Sequence, residues 1–294
     1  MKRHYLTHVD DDKFTVPDAC KSHSRGYSRL ELIDSSVSDA SVHMGLGLAE
    51  FDHAGYIGPT THAFEKGFYV LQGTVIATID GHSHKLDRDH YGLIPKGTTY
   101  SFANPRQEPA RLLEMMAPQP QAAGSDFIDT WFDAGATPSE ADAPDLSDPR
   151  IARRFGKFDE ASLPSAGTIS GVGARSSAIS GVSIKEFIDH MLGAHHLAMF
   201  LVQFAPGGAG TQHDHPHEES FYFLSGTAEA VLDGEQYTVG PGDVVWTAVG
   251  CFHSFENTGD VPVRWIETQA PLPTPAQGFR FRHEWDPVAR RATD

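Results

Sequence analysis

The chain has 294 residues, with 39 acidic against 23 basic side chains and a formal net charge of −16, a surplus that opposes binding to phosphate backbones or anionic lipid. Its length fits two domains of roughly 100–150 residues, each able to bury a hydrophobic interior. The opening stretch MKRHYLTHVDDDKF lacks the apolar core of a signal peptide and no run approaches a membrane span, so a cytoplasmic protein with neither nucleic acid nor membrane as partner is expected.

In chain order, Phe68–Leu71, Val75–Ile79, Tyr91–Ile94 and Leu112–Met116 read as short strands between Gly, Pro and Asp-Gly turns, a spacing typical of all-β sandwiches and barrels. Around TPSEADAPDLSDP, small and turn-forming residues accumulate, and Gln119–Pro149 reads as a linker or surface crossover. Ser183–Leu192 is the one segment with helical spacing: Ser183 as cap, then Ile184, Phe187, Ile188 and Met191 as an apolar stripe. Strands resume at Ala198–Phe204, Ser220–Leu224, Ala228–Leu232, Gln236–Val239, Val244–Thr247 and Val263–Thr268. The expected division is an N-terminal domain over 1–118, a connection over 119–155 and a C-terminal domain over 156–294. Only Cys20 and Cys251 occur, one in each half, so no disulfide framework is implied.

The two halves match at a fixed offset of 153 residues. Gly207-x5-His213-x-His215-x3-Glu219-x6-Gly226 falls on Ala54, Thr60, His62, Lys66 and Gly73, and Gly250-x2-His253-x3-Asn257 falls on Gly97, Tyr100 and Asn104. One fold is thus written twice. In a strand, side chains at i and i+2 share a face, so His213 and His215 project together; Glu219 returns to that face across a tight connection and His253 comes from a facing strand. Three imidazoles and a carboxylate suit Mn, Fe, Ni, Co or Zn and leave one or two open positions on a six-coordinate ion. The run HDHPHEE alone reads as a solvated loop; its place in the longer spaced pattern favours a metal site. Thr60, Lys66 and Tyr100 cannot hold a metal, so one divalent ion per chain is expected.

The pattern resembles the two-part signature of the cupin superfamily, G-x5-H-x-H-x3,4-E-x6-G and G-x5-P-x-G-x2-H-x3-N, matched from Gly207 to Gly226 and from Gly242 to Asn257, with Ala248 in place of the motif proline. With its degenerate first copy the chain resembles a bicupin, which implies an all-β architecture of two tandem cupin (double-stranded β-helix, jelly-roll) barrels. Size, the ligand-free first copy and Phe204-Ala-Pro-Gly-Gly are similar to ureidoglycine aminohydrolases, which use manganese; the ligand set is that of quercetinase-like cupin dioxygenases. The resemblance implies Mn or Fe at His213, His215, Glu219 and His253, with Glu219 also a proton acceptor in catalysis, and a homodimer.

Residues common to both copies, such as Glu267/Glu114 and Phe221/Phe68, are assigned to folding. Positions that differ are the candidates for contact with a small-molecule substrate: Gln203, His217, Trp246 and Trp265, where the first copy has Glu50, Phe64, Leu93 and Leu112. Arg280, Arg282 and His283 read as a cationic tail able to meet a carboxylate. The expected function is a dioxygenase confined to the second barrel, with an aminohydrolase-like hydrolase as first alternative and a non-catalytic binding barrel as second.

Overall fold

Along Ala198–Asp214, Phe200, Val202 and Phe204 are buried in one cluster with Phe221, Phe223, Phe255 and Trp265 from neighbouring strands. Residues two apart share a strand face, so one face of this long strand feeds the core and the other turns away. The computed structural model describes residues 2–35, 41–121, 128–169, 179–272 and 280–281, and strand is its predominant secondary structure, with only short helical turns beside it. No helix among the described residues is long and apolar enough to cross a membrane.

The chain divides into two compact units, Asp10–Asp159 with Phe187–Ala198, and Met1–Val9 with Glu160–Glu186 and Met199–Asp294. In the first, the strand order is Phe155–Lys157, His90–Ile94, Glu65–Gln72, Ala110–Ala117, Gly45–His62, Tyr100–Ala103, Thr74–Ile79, His82–Asp87, and Ser24–Ile33 and Thr130–Phe132 also pair with Gly45–His62. Its core gathers Phe51, Phe68, Val75, Phe102 and Leu112. In the second, the order is His4–His8, Asp243–Thr247, Glu218–Ser225, Val263–Ala270, Ala198–Asp214, His253–Glu256, Ala228–Leu232, Glu235–Val239, and Ile179–Ile188 also pairs with Ala198–Asp214. Strand for strand the two orders correspond, and each sheet curls into a jelly-roll barrel, as the repeat requires. Gly73 and Gly226 hold the same turn at φ 75° and 72°; a Cβ at either would lie 2.6 Å from a backbone carbonyl oxygen, of Pro109 or Pro262, so only glycine fits.

Three expectations need correction. The helix over Ser183–Leu192 is absent: Ile179–Ile188 is a strand and only a turn follows, where Asp189 Oδ1 accepts from the backbone of Met191 at 2.7 Å. Pairing with the long neighbouring strand overrides the apolar spacing, and β-branched Ile179, Val182 and Ile184 suit it. Second, the N-terminal residues do not belong to the first barrel. His4–His8 runs antiparallel to Asp243–Thr247 in the register His4↔Thr247 to His8↔Asp243, closing the edge of the second barrel, whereas Phe155–Lys157 fills the matching edge of the first by pairing with His90–Gly92. Third, of the two readings of the connection, linker or surface crossover, the free linker is the one that needs correction: Thr130–Phe132 pairs with Thr60–His62, and Asp142 O accepts from Lys85 N at 2.8 Å.

Candidate metal centre

His213 stands near the end of Ala198–Asp214, directly opposite His253 in the antiparallel pairing with His253–Glu256, beyond a bulge after Gly210. Asn257, four residues on, fixes this corner: its Nδ2 donates to Phe204 O at 3.1 Å and Val261 O at 2.8 Å, and its carbonyl accepts from Gly207 N at 3.0 Å. Glu219 lies opposite Thr247 on one side and Gln269 on the other. Directly paired residues point the same way, so Glu219, Thr247 and Gln269 share the face that also carries Phe221 and Phe223 into the core.

The four expected ligands converge. His213, His215 and His253 form a buried group whose ligand atoms lie within 4.8 Å of one another, and His215, His217 and Glu219 form a second that shares His215. Glu219 Oε1 is 3.4 Å from His215 Nε2, and Oε2 is 3.2 Å from His253 Nε2. His213 Nδ1 pairs with Thr211 O at 2.6 Å and His253 Nδ1 with Cys251 O at 3.1 Å, which places the ring proton on Nδ1 and a lone pair on Nε2. Burial pushes His213 and His217 down to about 4 and His253 well below the ordinary value, so the imidazoles are neutral, as metal ligands must be.

The carboxyl of Glu219 is pushed up to about 8 by burial, although Gln269 Nε2 donates to its Oε1 at 2.9 Å. Its Oε2 and both ring nitrogens of His217 have no hydrogen-bond partner among the described residues while fully enclosed. Buried polar groups without partners are costly, and a divalent cation removes that cost at Glu219. Donor types, burial and bare acceptor oxygen together fit a metal ion.

The expected substrate residues separate. His217 belongs to the site: only 3% exposed, it stacks on His215 with ring centroids 4.8 Å apart and its Nε2 is 3.4 Å from Glu219 Oε1. Trp265 shares the inner face, but its ring is packed among Phe204, Phe221, Phe223 and Phe255, and only its Nε1 reaches polar company, donating to Glu267 Oε2 at 3.0 Å. Trp246 does not face the site. It pairs with Ser220, one residue out of phase with Glu219, and its Nε1 donates to Glu218 Oε2 at 3.3 Å. Gln203 also looks away, out of phase with Val202 and Phe204, and accepts from Arg264. Arg280–Phe281 runs as a short strand against His213 and Asp214; Arg282 and His283 lie outside the described residues.

Gln269 and Glu267 went unrecognised in the sequence. Gln269 is the amide that holds Glu219, and at the repeat offset it replaces Met116; the comparison of copies that selects His217 contained this signal as well. The match to Glu114 assigns Glu267 to folding, yet Gln269 Nε2 is 3.3 Å from Glu267 Oε1, and burial together with the Glu219 carboxyl pushes Glu267 well above the ordinary value. A third ligand-like group, His4, Asp233 and Cys251, is engaged internally: Arg3 grips Asp233 through Nε and Nη2 at 2.9 and 2.7 Å, and His4 Nε2 lies 3.0 Å from Tyr237 Oη.

In the first barrel the matching positions make a closed network. Lys66 Nζ donates to Tyr100 Oη at 2.7 Å and Glu114 Oε1 at 3.0 Å, His62 Nε2 pairs with Tyr100 Oη at 2.8 Å, and Arg29 bonds the other Glu114 oxygen. Burial works against ionisation of Glu114, but Lys66 and Arg29 hold its carboxyl below the usual range.

A family model described as the cupin domain matches residues 47–116 and 200–268. Over 79 residues the chain is 30% identical to the tetracenomycin polyketide synthase protein TcmJ of Streptomyces glaucescens, a match covering 26% of this chain and 53% of that protein. The chain spans little more than half the length of the curated relatives it matches. Among solved structures, it superposes on the oxalate decarboxylase of Lactobacillus farciminis with a TM-score of 0.63 and 14% identity, covering 98% of this chain and 92% of that one. The salicylate 1,2-dioxygenase of Pseudaminobacter salicylatoxidans gives a TM-score of 0.64 at 12% identity, over 82% of this chain and 76% of that one. At these identities the likeness establishes the fold.

Proposed function

Since the chain belongs to the cupin superfamily as a bicupin, we propose that its second barrel is a metal-dependent enzyme, a dioxygenase acting on a small polar metabolite that chelates the ion. The observation that carries this reading is the convergence of His213, His215, His253 and Glu219 in a buried cluster, three imidazoles with one carboxyl group. A scaffold alone has no use for such a set, and four protein ligands leave room on a six-coordinate ion for a chelating substrate. When bound, Fe(II) or Mn(II) supplies the Lewis acidity that binds an enolate, phenolate or hydroxy-acid and the redox partner for dioxygen.

The chain's own residues supply the rest. His213 and His253 are locked in the metal-binding tautomer by the carbonyls of Thr211 and Cys251. Glu219 would hold the ion through its carboxyl group and could accept a proton from a bound substrate. His217, with two unpartnered ring nitrogens beside Glu219, is the substrate-facing donor. Phe221 and Phe255 pack beside His253, with ring centroids 5.7 and 6.2 Å away, and keep water from the core side of the cluster. A solved neighbour of the same fold is a salicylate 1,2-dioxygenase, so aromatic and enolic ortho-hydroxy acids are the first compounds to test.

The test is oxygen uptake by the Fe(II)- or Mn(II)-loaded chain, with salicylate, gentisate and enediol compounds, in air and under argon. One dioxygen consumed per substrate lost, and none lost without air, is expected. Turnover under argon with release of ammonia from a ureido-amine would overturn the dioxygenase reading in favour of hydrolysis.

A further inference from the structure

Glu219 has two oxygens, and only one is engaged by a hydrogen bond. Gln269 Nε2 donates to Oε1 at 2.9 Å, while Oε2, the oxygen 3.2 Å from His253 Nε2, accepts none from the described residues. Gln269 does not make this contact alone. The same Nε2 stands 3.3 Å from Glu267 Oε1, and Glu267 Oε2 accepts from Trp265 Nε1 at 3.0 Å. Trp265, Glu267 and Gln269 lie at i, i+2 and i+4 of one strand, so all three meet on one face, and Gln269 is directly paired with Glu219 on the neighbouring strand.

From this arrangement we infer that Gln269, itself held by Glu267 and Trp265, is the positioning residue of the metal centre: it pins Glu219 Oε1 and so turns Oε2 toward the ion. An amide has two N–H bonds on one nitrogen, here one for each carboxyl, and rotation of Glu219 about its terminal torsion, which is otherwise broad and two-fold, would break one of them. The first barrel supplies an internal control. It keeps the glutamate, as Glu114, but has Leu112 and Met116 where the second barrel has Trp265 and Gln269, and there Glu114 is held by Lys66 and Arg29. The amide and the indole thus occur only in the barrel that has a carboxylate to aim. Trp265 then has a role consistent with its place in the core: a rigid donor at the end of a chain of three hydrogen bonds.

This inference rests on the metal-site reading of Glu219 but not on the reaction, so it is tested on binding. Mn(II) affinity of the full chain is measured by competition with a fluorescent chelator, with the melting temperature recorded in parallel. Gln269→Met, the residue of the first barrel, is expected to weaken Mn(II) binding by about 10–100-fold, the usual effect of losing a group that orients a ligand. In a Glu219→Ala background the same change is expected to alter affinity less than about twofold, because two residues acting through one interaction are not additive. Should Gln269→Met fail to fold, Gln269→Asn, whose shorter arm cannot span both carboxyls, replaces it in both backgrounds. Unaltered affinity, or an equal loss with and without Glu219, overturns the clamp while leaving the metal site in place. No Mn(II) binding by the unaltered chain removes the site and the clamp with it.

Discussion

The two barrels share a strand order, a set of turns and a buried polar cluster at the same place, yet they neutralise that cluster in opposite ways. In the first, the cation is part of the chain: the Lys66 ammonium is surrounded by Tyr100 and Glu114, with His62 joined through the tyrosine hydroxyl. In the second, Glu219 stands in the place of Lys66 and His253 in that of Tyr100, so among the described residues the cluster is left with a carboxyl oxygen and an imidazole, His217, that have no hydrogen-bond partner. Buried polar groups must find partners; one barrel finds them in its own side chains, and in the other the open oxygen is the place we propose for a metal ion. The difference lies in a few side chains, while the scaffold is indifferent to it.

The sharpest way to break this comparison is to count ions. Elemental analysis of the purified chain should find about one divalent transition ion, and His213→Ala with His253→Ala should remove it altogether; two ions per chain, or occupancy that survives the double change, would mean that the sites are misassigned. Next in size is the internal cation. Lys66→Ala leaves Glu114 short of one of its two positive partners and is expected to cost about 3 kcal/mol of stability, read by denaturant unfolding, while metal content and turnover of the second barrel stay nearly unchanged. Loss of turnover in a folded Lys66→Ala protein would make the first barrel part of the active site.

Smaller effects sharpen the same contrast. His217→Phe installs the first barrel's Phe64, which stacks on His62 with ring centroids 4.2 Å apart, so the packing is kept and only the polar edge is lost; metal content should hold and kcat/KM fall about tenfold, the size of one lost hydrogen bond. The pH dependence follows from Glu219. Its carboxyl is raised from an ordinary 4.5 to about 8, so between these values the unfolded state loses the proton first and the ion-free fold is destabilised as pH rises. His213 and His217, held at about 4, act in the opposite direction, but only below the ordinary histidine range near 6.5. Between about pH 6.5 and 8 the ion-free protein should therefore melt progressively lower, and Mn(II) should reverse the trend; a flat profile in that window would show that Glu219 is already ionised. Least affected should be Trp246→Phe, which loses one hydrogen bond to Glu218 at about 1 kcal/mol and leaves turnover intact.

The buried cluster of candidate ligands was legible because strand parity and spacing act over a few residues: His213 and His215 are two apart, and the repeat supplied His253. Parity fails where the phase is unknown. Trp246 and Gln203 both sit one residue out of step with the inward face, and a slip of one residue in a strand exchanges the two faces completely. The segment after Ser183 shows the converse, a spacing that fits a helix in isolation and becomes a strand once a neighbour is present to pair with it. The jelly-roll pair was legible from the repeat; which terminal segment closes which barrel was not, because pairing between residues hundreds of positions apart leaves no local mark. Gln269 was missed for a different reason: its contacts run sideways to a partner strand, and neither its type nor its spacing belongs to a motif.

The pairing of His4–His8 with Asp243–Thr247 spans more than two hundred residues of chain, with the first barrel's sheet lying between the two strands in sequence. An unpaired sheet edge is the kind that recruits wrong partners, and a closure over so long a stretch is of the type that slows folding. The edge of the second barrel is thus covered by a segment whose neighbours in sequence build the other barrel. Deleting His4–His8 should therefore lower the stability of the second barrel while sparing the first.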